Sequence, residues 1–322
     1  LPGANARTKL SLTSLTRSPH MTDCFVGLVS HAGSRFAESQ GPDGLTATLC
    51  REFEARGVSA TSLVNVDDAY RPELLAIDGR VVRRAVTAQI RLEARWSRYL
   101  RSGDPRVSRA QRLARSTALT AVTGARIASG WRRYYRPWHG VADDQTAGAR
   151  MVRRLLNIEL SHASLMRAGL GSGARWVLIL EDDAHGDDPR QLAENIEALM
   201  VERADKQQPA YVNISQSFSN AELGVEYLLE PAAGFEWTGQ PARQVLAASR
   251  PISNTVCAIL YRADFLGRFL ARFDALPIEP VVPIDWKLNI VLMDMYDAGE
   301  IVAGDCWVVT PGPVDQRSMQ VS

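Results

Sequence analysis

Lysine is nearly missing from this chain: Lys9, Lys206 and Lys287 stand against 34 arginines in 322 residues. A phosphotransfer domain that needs a Lys/Thr phosphate set after its later strands has little lysine to draw on. The four cysteines (Cys24, Cys50, Cys257, Cys306) are scattered singly, with no CxxC pair and no zinc spacing. They read as reduced thiols of a cytoplasmic protein, buried as small hydrophobes. No apolar run approaches the roughly 18 residues that span a bilayer, which argues against a transmembrane anchor. Residues 1–20 are polar and turn-rich, without the apolar core of a signal peptide, and read as a disordered leader or an artificial extension. Internal repeats and low-complexity tracts are absent as well.

What is present is the composition of a globular protein, 46% hydrophobic and 23% charged, long enough for one large domain or two ordinary ones. The apolar pattern alternates strand and helix. "CFVGLVS" (24–30) predicts a strand ending in a polar, Gly-containing turn. A helix over 45–58 and a strand over 60–68 complete a βαβ unit, the opening of a parallel sheet whose ligand edge lies at the strand carboxyl ends. Further on, a helix is predicted over 150–170, a strand over 176–180, a helix around 189–204 and strands over 210–215 and 254–261. Helices follow through "ADFLGRFLARF" and "IDWKLNIVLMDMYDAG". The fold class is therefore α/β with a mostly parallel, Rossmann-like central sheet, one domain over 21–322 interrupted by a basic helical insertion over 80–150.

The strand at 176–180 runs straight into Glu181, Asp182 and Asp183. Three carboxylates crowded at one strand end repel each other and resist desolvation, so a metal ion, a neighbouring Arg or water must compensate them. Hard oxygen ligands at a strand carboxyl end suit Mg²⁺ or Mn²⁺, commonly alongside substrate phosphates. Such clusters also occur in phosphotransfer domains and in solvated turns.

Taken together, "CFVGLVSHAGSRF", "NIELSHASLMRAG", "WVLILEDDA", "VVPIDWKLN" and "PGPVDQRSM" resemble the GT-A glycosyltransferases, most closely glycosyltransferase family 25, the lipooligosaccharide and collagen galactosyltransferase type. The likeness covers residues 22–78 and about 150–320. It implies a nucleotide-sugar donor, a UDP-sugar first of all, with a divalent cation (Mn²⁺ or Mg²⁺) bridging its diphosphate to Glu181 and Asp183 and with Asp182 facing the ribose or orienting the ligands. Donor contacts carried over by position are Ser30 and His31, where the family has Asn-Leu, together with Arg35 in the turn after the first strand. Asp67 and Asp68 would hold ribose or uracil, and His162 of the Leu-Ser-His signature would act at the diphosphate or metal motif. The family inverts configuration, which requires one general base for the acceptor hydroxyl. Asp285 is the candidate, with a helix N-cap as its ordinary reading and Asp294 in reserve. Asn254, Asp305 and Gln316 would line the acceptor or complete the metal shell.

The insertion is the strongest charge feature. Between Arg80 and Arg154 there are 18 Arg and four acids, a net +14 inside a chain whose total is +1. Val82, Val86, Ile90, Trp96 and Leu100 at mostly helical spacing among arginines predict a basic amphipathic helix, and Trp131, Tyr134, Tyr135 and Trp138 follow. That combination fits an anionic membrane surface through 80–140, which would present a glycan or glycolipid acceptor at the inner face. The plain alternative is a helical subdomain packing its aromatics on the sheet. Nucleic acid is the weakest reading, because no recognised module accompanies the charge. Two functional rivals stand beside the transferase: a Mg²⁺-dependent phosphotransfer or phosphohydrolase domain, and a catalytically silent GT-A-like binding module.

Overall fold

The computed structural model describes residues 23–31, 33–66, 77–102, 104–128, 145–186, 188–201, 208–216, 218–253, 255–278 and 281–317. Asp67, Asp68, Asn254, Trp131, Tyr134, Tyr135, Trp138 and the leader over 1–20 lie outside them. In chain order the elements are β1 (Asp23–Val29), α1 (Leu45–Ala55), β2 (Ser59–Asn65), α2 (Gly79–Ser102), α3 (Arg109–Ala128), α4 (Gln145–Gly171), β3 (Trp176–Glu181), β4 (Ala184–His185), α5 (Pro189–Met200), β5 (Tyr211–Asn213), β6 (Ser215–Gln216), α6 (Asn220–Leu223), β7 (Leu229–Pro231), β8 (Gln244–Ala248), β9 (Ala258–Arg262), α7 (Ala263–Ala275), α8 (Ile284–Asp297), β10 (Cys306–Thr310) and β11 (Val314–Gln316).

The main sheet has the order β2-β1-β3-β9-β5-β10-β8-β7. β1 runs parallel to β2 and β3, and β5 to β10, while β9 and β8 run against their neighbours. Six of the eight strands therefore point one way. A second, three-stranded sheet, β4-β11-β6, sits at the strand ends. β7 and β8 escape the sequence pattern; β7 is three residues long, lies at the sheet edge and carries Pro231.

Both faces of the sheet are covered, as a largely parallel sheet requires. Along β3, Trp176, Leu178 and Leu180 enter the core beneath α1 and α5, while Val177 and Ile179 enter the core beneath α4, α7 and α8. The period-two alternation of a strand thus feeds two apolar layers. Gly169 lets α4 lie close against β3: a Cβ there would stand 2.7 Å from Val177 Cγ1.

The segment read as an insertion is built into this body. Its last residues form the first turns of α4, and Val82, Val86 and Ile90 of α2 share a small core with Val152 and Leu156 of α4. Trp96 stacks on Tyr99 at 5.9 Å and meets Trp286 of α8 edge-on at 6.4 Å. The apolar side of α2 that the sequence offers to a membrane is turned inward, because α4 and α8 supply a larger apolar surface than isolated periodicity reveals. Arg95 pairs with Asp294 of α8. By contrast, α3 has no buried residue, and its outward side shows Leu113 and Val122 beside Arg109 and Arg115.

Candidate active site

A cleft of about 990 Å³ opens at the carboxyl ends of β1 and β3. β1 delivers Val29 and Ser30 to it, the following turn His31, Ser34, Arg35 and Phe36, and β3 delivers Glu181, Asp182 and Asp183. Because β9 is reversed, its entry places Thr255 and Val256 at this same edge. The first turn of α8 adds Asp285, and β11 adds Gln316.

Each acid is held differently. Glu181 is clamped on both oxygens, with His162 Nε2 3.1 Å from Oε1 and Gln316 Nε2 donating to Oε2 at 3.4 Å. The tautomer with its proton on Nε2 lets the ring donate to Glu181, and Nδ1 is buried with no hydrogen-bond partner among the described residues. Asp182 accepts the Ser30 hydroxyl at 2.7 Å, and Gln40 Nε2 donates to Ser30 Oγ at 2.8 Å. Asp183 is buried beside Cys257, whose Sγ lies 4.0 Å from Oδ1. One ligand atom from each of Glu181, Asp183 and Cys257 falls within 4.8 Å of the others, spacing that can hold a metal ion. Burial, then the Glu181 and Asp183 carboxylates, push the Cys257 thiol well up, so without a metal it stays protonated and the carboxylate oxygens are the donors.

Asp285 is the second residue of α8, whose N-cap is Pro283, so the ordinary capping reading does not hold. Burial raises its carboxyl from 3.8 to about 6, against the pull of the Trp286 backbone N–H and with the Glu181 charge adding to the rise. Asn289 Nδ2 donates to Asp285 O at 3.0 Å and to Ser253 O at 2.9 Å, tying α8 to the loop that carries Thr255.

The opposite wall was not found from sequence. Arg150, Arg153, Arg154, Asn157 and Ser161 follow one another at helical spacing down α4 and line the cleft together. The sequence carries a signal, Arg at i, i+3 and i+4 ahead of Ser161 on one predicted helix, which composition alone merges with the charge of the insertion. The cleft is therefore bipolar, with carboxylates at the strand ends and guanidinium groups on α4 and at Arg35.

Several sequence expectations change place. His162 is fully buried and is not among the residues lining the cleft; of the two roles expected of it, at the diphosphate or at the acidic motif, its contact with Glu181 is the one seen, and its neighbour Ser161 occupies the wall. Asp294 pairs with Arg95 and is not among the residues lining the cleft. Asp305 precedes β10 at the opposite edge of the sheet, where it accepts the Val302 N–H at 2.9 Å. Ser30, His31, Arg35, Glu181, Asp182, Asp183, Asp285 and Gln316 do come together.

Fold and site define a mixed α/β protein whose mostly parallel eight-stranded sheet carries an acid- and arginine-lined cleft at the carboxyl ends of its strands. No family model matches the chain, and no curated protein matches it.

Proposed function

We propose that the protein is a GT-A-type, metal-dependent inverting glycosyltransferase that moves a sugar from a nucleotide-sugar donor, a UDP-sugar first of all, to a hydroxyl of a glycan or glycolipid. The observation that carries this reading is the juxtaposition of Glu181 and Asp183 with Arg35, Arg150, Arg153 and Arg154 across one cleft. A nucleoside diphosphate carried with a divalent cation is the ligand class that answers both walls, the phosphates meeting the arginines and the cation the carboxylates. The donor set fits Mn²⁺ or Mg²⁺, since two carboxylates with converging oxygens and a protonated thiol behind them offer hard ligands. When bound, such a dication stabilises the negative charge that grows on the departing diphosphate.

The chain's own groups supply the rest. The guanidinium groups of α4 bind phosphate oxygens in fork geometry. His162 and Gln316 keep Glu181 in one orientation, and Ser30 with Gln40 does the same for Asp182. Asp285, ionised above about pH 6, accepts the acceptor hydroxyl's proton as that oxygen bonds to the anomeric carbon and the bond to diphosphate breaks. The acceptor is placed at an anionic membrane face through the basic outward side of α3 rather than through α2.

The phosphotransfer rival loses support from Lys287. It is the one lysine among the described residues, and it is buried in a pair with Glu159 instead of facing the cleft. The test is a thermal-shift panel of nucleoside diphosphates with and without Mn²⁺. One diphosphate should stabilise the protein only with metal, and Asp183→Ala should abolish both the shift and turnover. Silence across the whole panel refutes the reading; a metal-dependent shift without any transfer favours the silent binding module.

A further inference from the structure

Cys257 joins the acidic cluster from a different strand. It stands just before β9, where its carbonyl accepts the Glu181 N–H at 2.9 Å and continues the β3–β9 ladder, so the backbone fixes it opposite Glu181. Its side chain is fully buried, with Sγ 4.0 Å from Asp183 Oδ1 and 3.8 Å from the Asp315 carbonyl. Both are weak contacts of a weak donor, so the sulfur is placed without being consumed. Glu181, Asp183 and Cys257 are the one such trio among the described residues, each with a ligand atom within 4.8 Å of the others. An ion bonded tetrahedrally at about 2.3 Å to sulfur and about 2.0 Å to oxygen sets the two donors about 3.5 Å apart. The 4.0 Å between Sγ and Asp183 Oδ1 is a small side-chain adjustment from that spacing. The carboxylates need not give up their present contacts, because each of their oxygens accepts in two directions.

We propose that Cys257 is a third metal ligand, reserved for thiophilic dications, so that this site holds Zn²⁺ or Co²⁺ through sulfur as well as oxygen while Mn²⁺ and Mg²⁺ use the oxygens alone. When such an ion binds, a metal–sulfur bond forms as the S–H bond breaks, and the proton leaves to the buffer. Three protein ligands then leave one position open for water or a diphosphate oxygen. Zn²⁺ outranks Mn²⁺ at almost any mixed site, so tighter zinc binding is not the distinguishing mark. The mark is that the margin of Zn²⁺ over Mn²⁺ depends on one sulfur atom. The inference rests on the metal site of the proposed reading and not on sugar transfer.

The experiment is titration of the metal-stripped full chain with Co²⁺, followed in the near-ultraviolet, with Zn²⁺ and Mn²⁺ affinities measured by calorimetry. One Co²⁺ per chain should bring up a sulfur-to-cobalt charge-transfer band, and Zn²⁺ should abolish it. Cys257→Ser should remove the band and weaken Zn²⁺ binding about tenfold or more, with Mn²⁺ affinity nearly unchanged, which also shows that the variant is folded. Cys50→Ser should keep the band; Cys50 is the one cysteine that is not buried, and hence the natural site of stray cobalt. A parent without the band that still binds Mn²⁺ overturns the role of Cys257 and leaves the transferase reading standing. Failure to take up any of the three ions overturns both. A band that survives Cys257→Ser, or disappears with Cys50→Ser, also refutes the assignment. If Cys257→Ser does not fold, Cys257→Ala and the parent's own spectrum decide.

Discussion

Asp285 should make the protein less stable in the pH range where it is ionised. Its carboxyl, raised from 3.8 to about 6 chiefly by burial, holds its proton longer in the folded protein than in the unfolded chain. Folded molecules therefore bind more protons between those two values, and stability falls as pH rises through that window. The rise from 3.8 to about 6 corresponds to about 3 kcal/mol lost by pH 8, fully present below about pH 4. Asp285→Asn keeps the shape and an oxygen for the Trp286 N–H but cannot ionise. Urea unfolding in EDTA should show the variant about 2–3 kcal/mol more stable than the parent at pH 8 and nearly equal at pH 4. On the proposed transferase reading, transfer by the variant should be lost, and that by the parent should rise through about pH 6. A stability difference that is the same at both pH values, or absent at pH 8, refutes the claim that a desolvated carboxylate sits in this wall.

Three further outcomes follow from packing and positioning. Gly169→Ala should destabilise by about 1–3 kcal/mol in thermal or urea melts, because the new methyl meets the stiff Val177 side chain. Lys287→Met should cost about 3–5 kcal/mol by leaving Glu159 buried and unpaired, its carboxyl already pushed up by burial, whereas Glu159→Leu with Lys287→Met should recover most of that loss in the same melts. His162→Ala should weaken Mn²⁺ affinity about 10–100-fold, read by titration of the metal, and should move the metal-dependent nucleotide shift to correspondingly higher Mn²⁺.

The parts of the site that sequence makes legible are those written in one short stretch. A buried strand running into Glu181, Asp182 and Asp183 shows itself by five apolar residues followed by acids, whereas Ser30 enters only by its position in the segment that resembles the family's first strand. Asp285 was legible only through the likeness of "VVPIDWKLN" to a family segment, since its burial is made by elements distant in the chain. The arginine wall is not legible for a related reason: Arg150, Arg153 and Arg154 are indistinguishable by composition from the arginines of α2 and α3 that do not line the cleft.

Local periodicity, turn residues and charge determined the alternation of strands and helices, the acidic strand end and the existence of basic helices, because each depends on neighbours within a turn or two. The packing of helices on the sheet decided the rest. It set α4 across β1 and β3, so that guanidinium groups face carboxylates, His162 stands behind Glu181, and Glu159 meets Lys287 across 128 residues. It also turned the apolar side of α2 inward. Those pairings are long-range: burying apolar surface chooses which faces meet, and a helix's own sequence specifies the face without naming its partner.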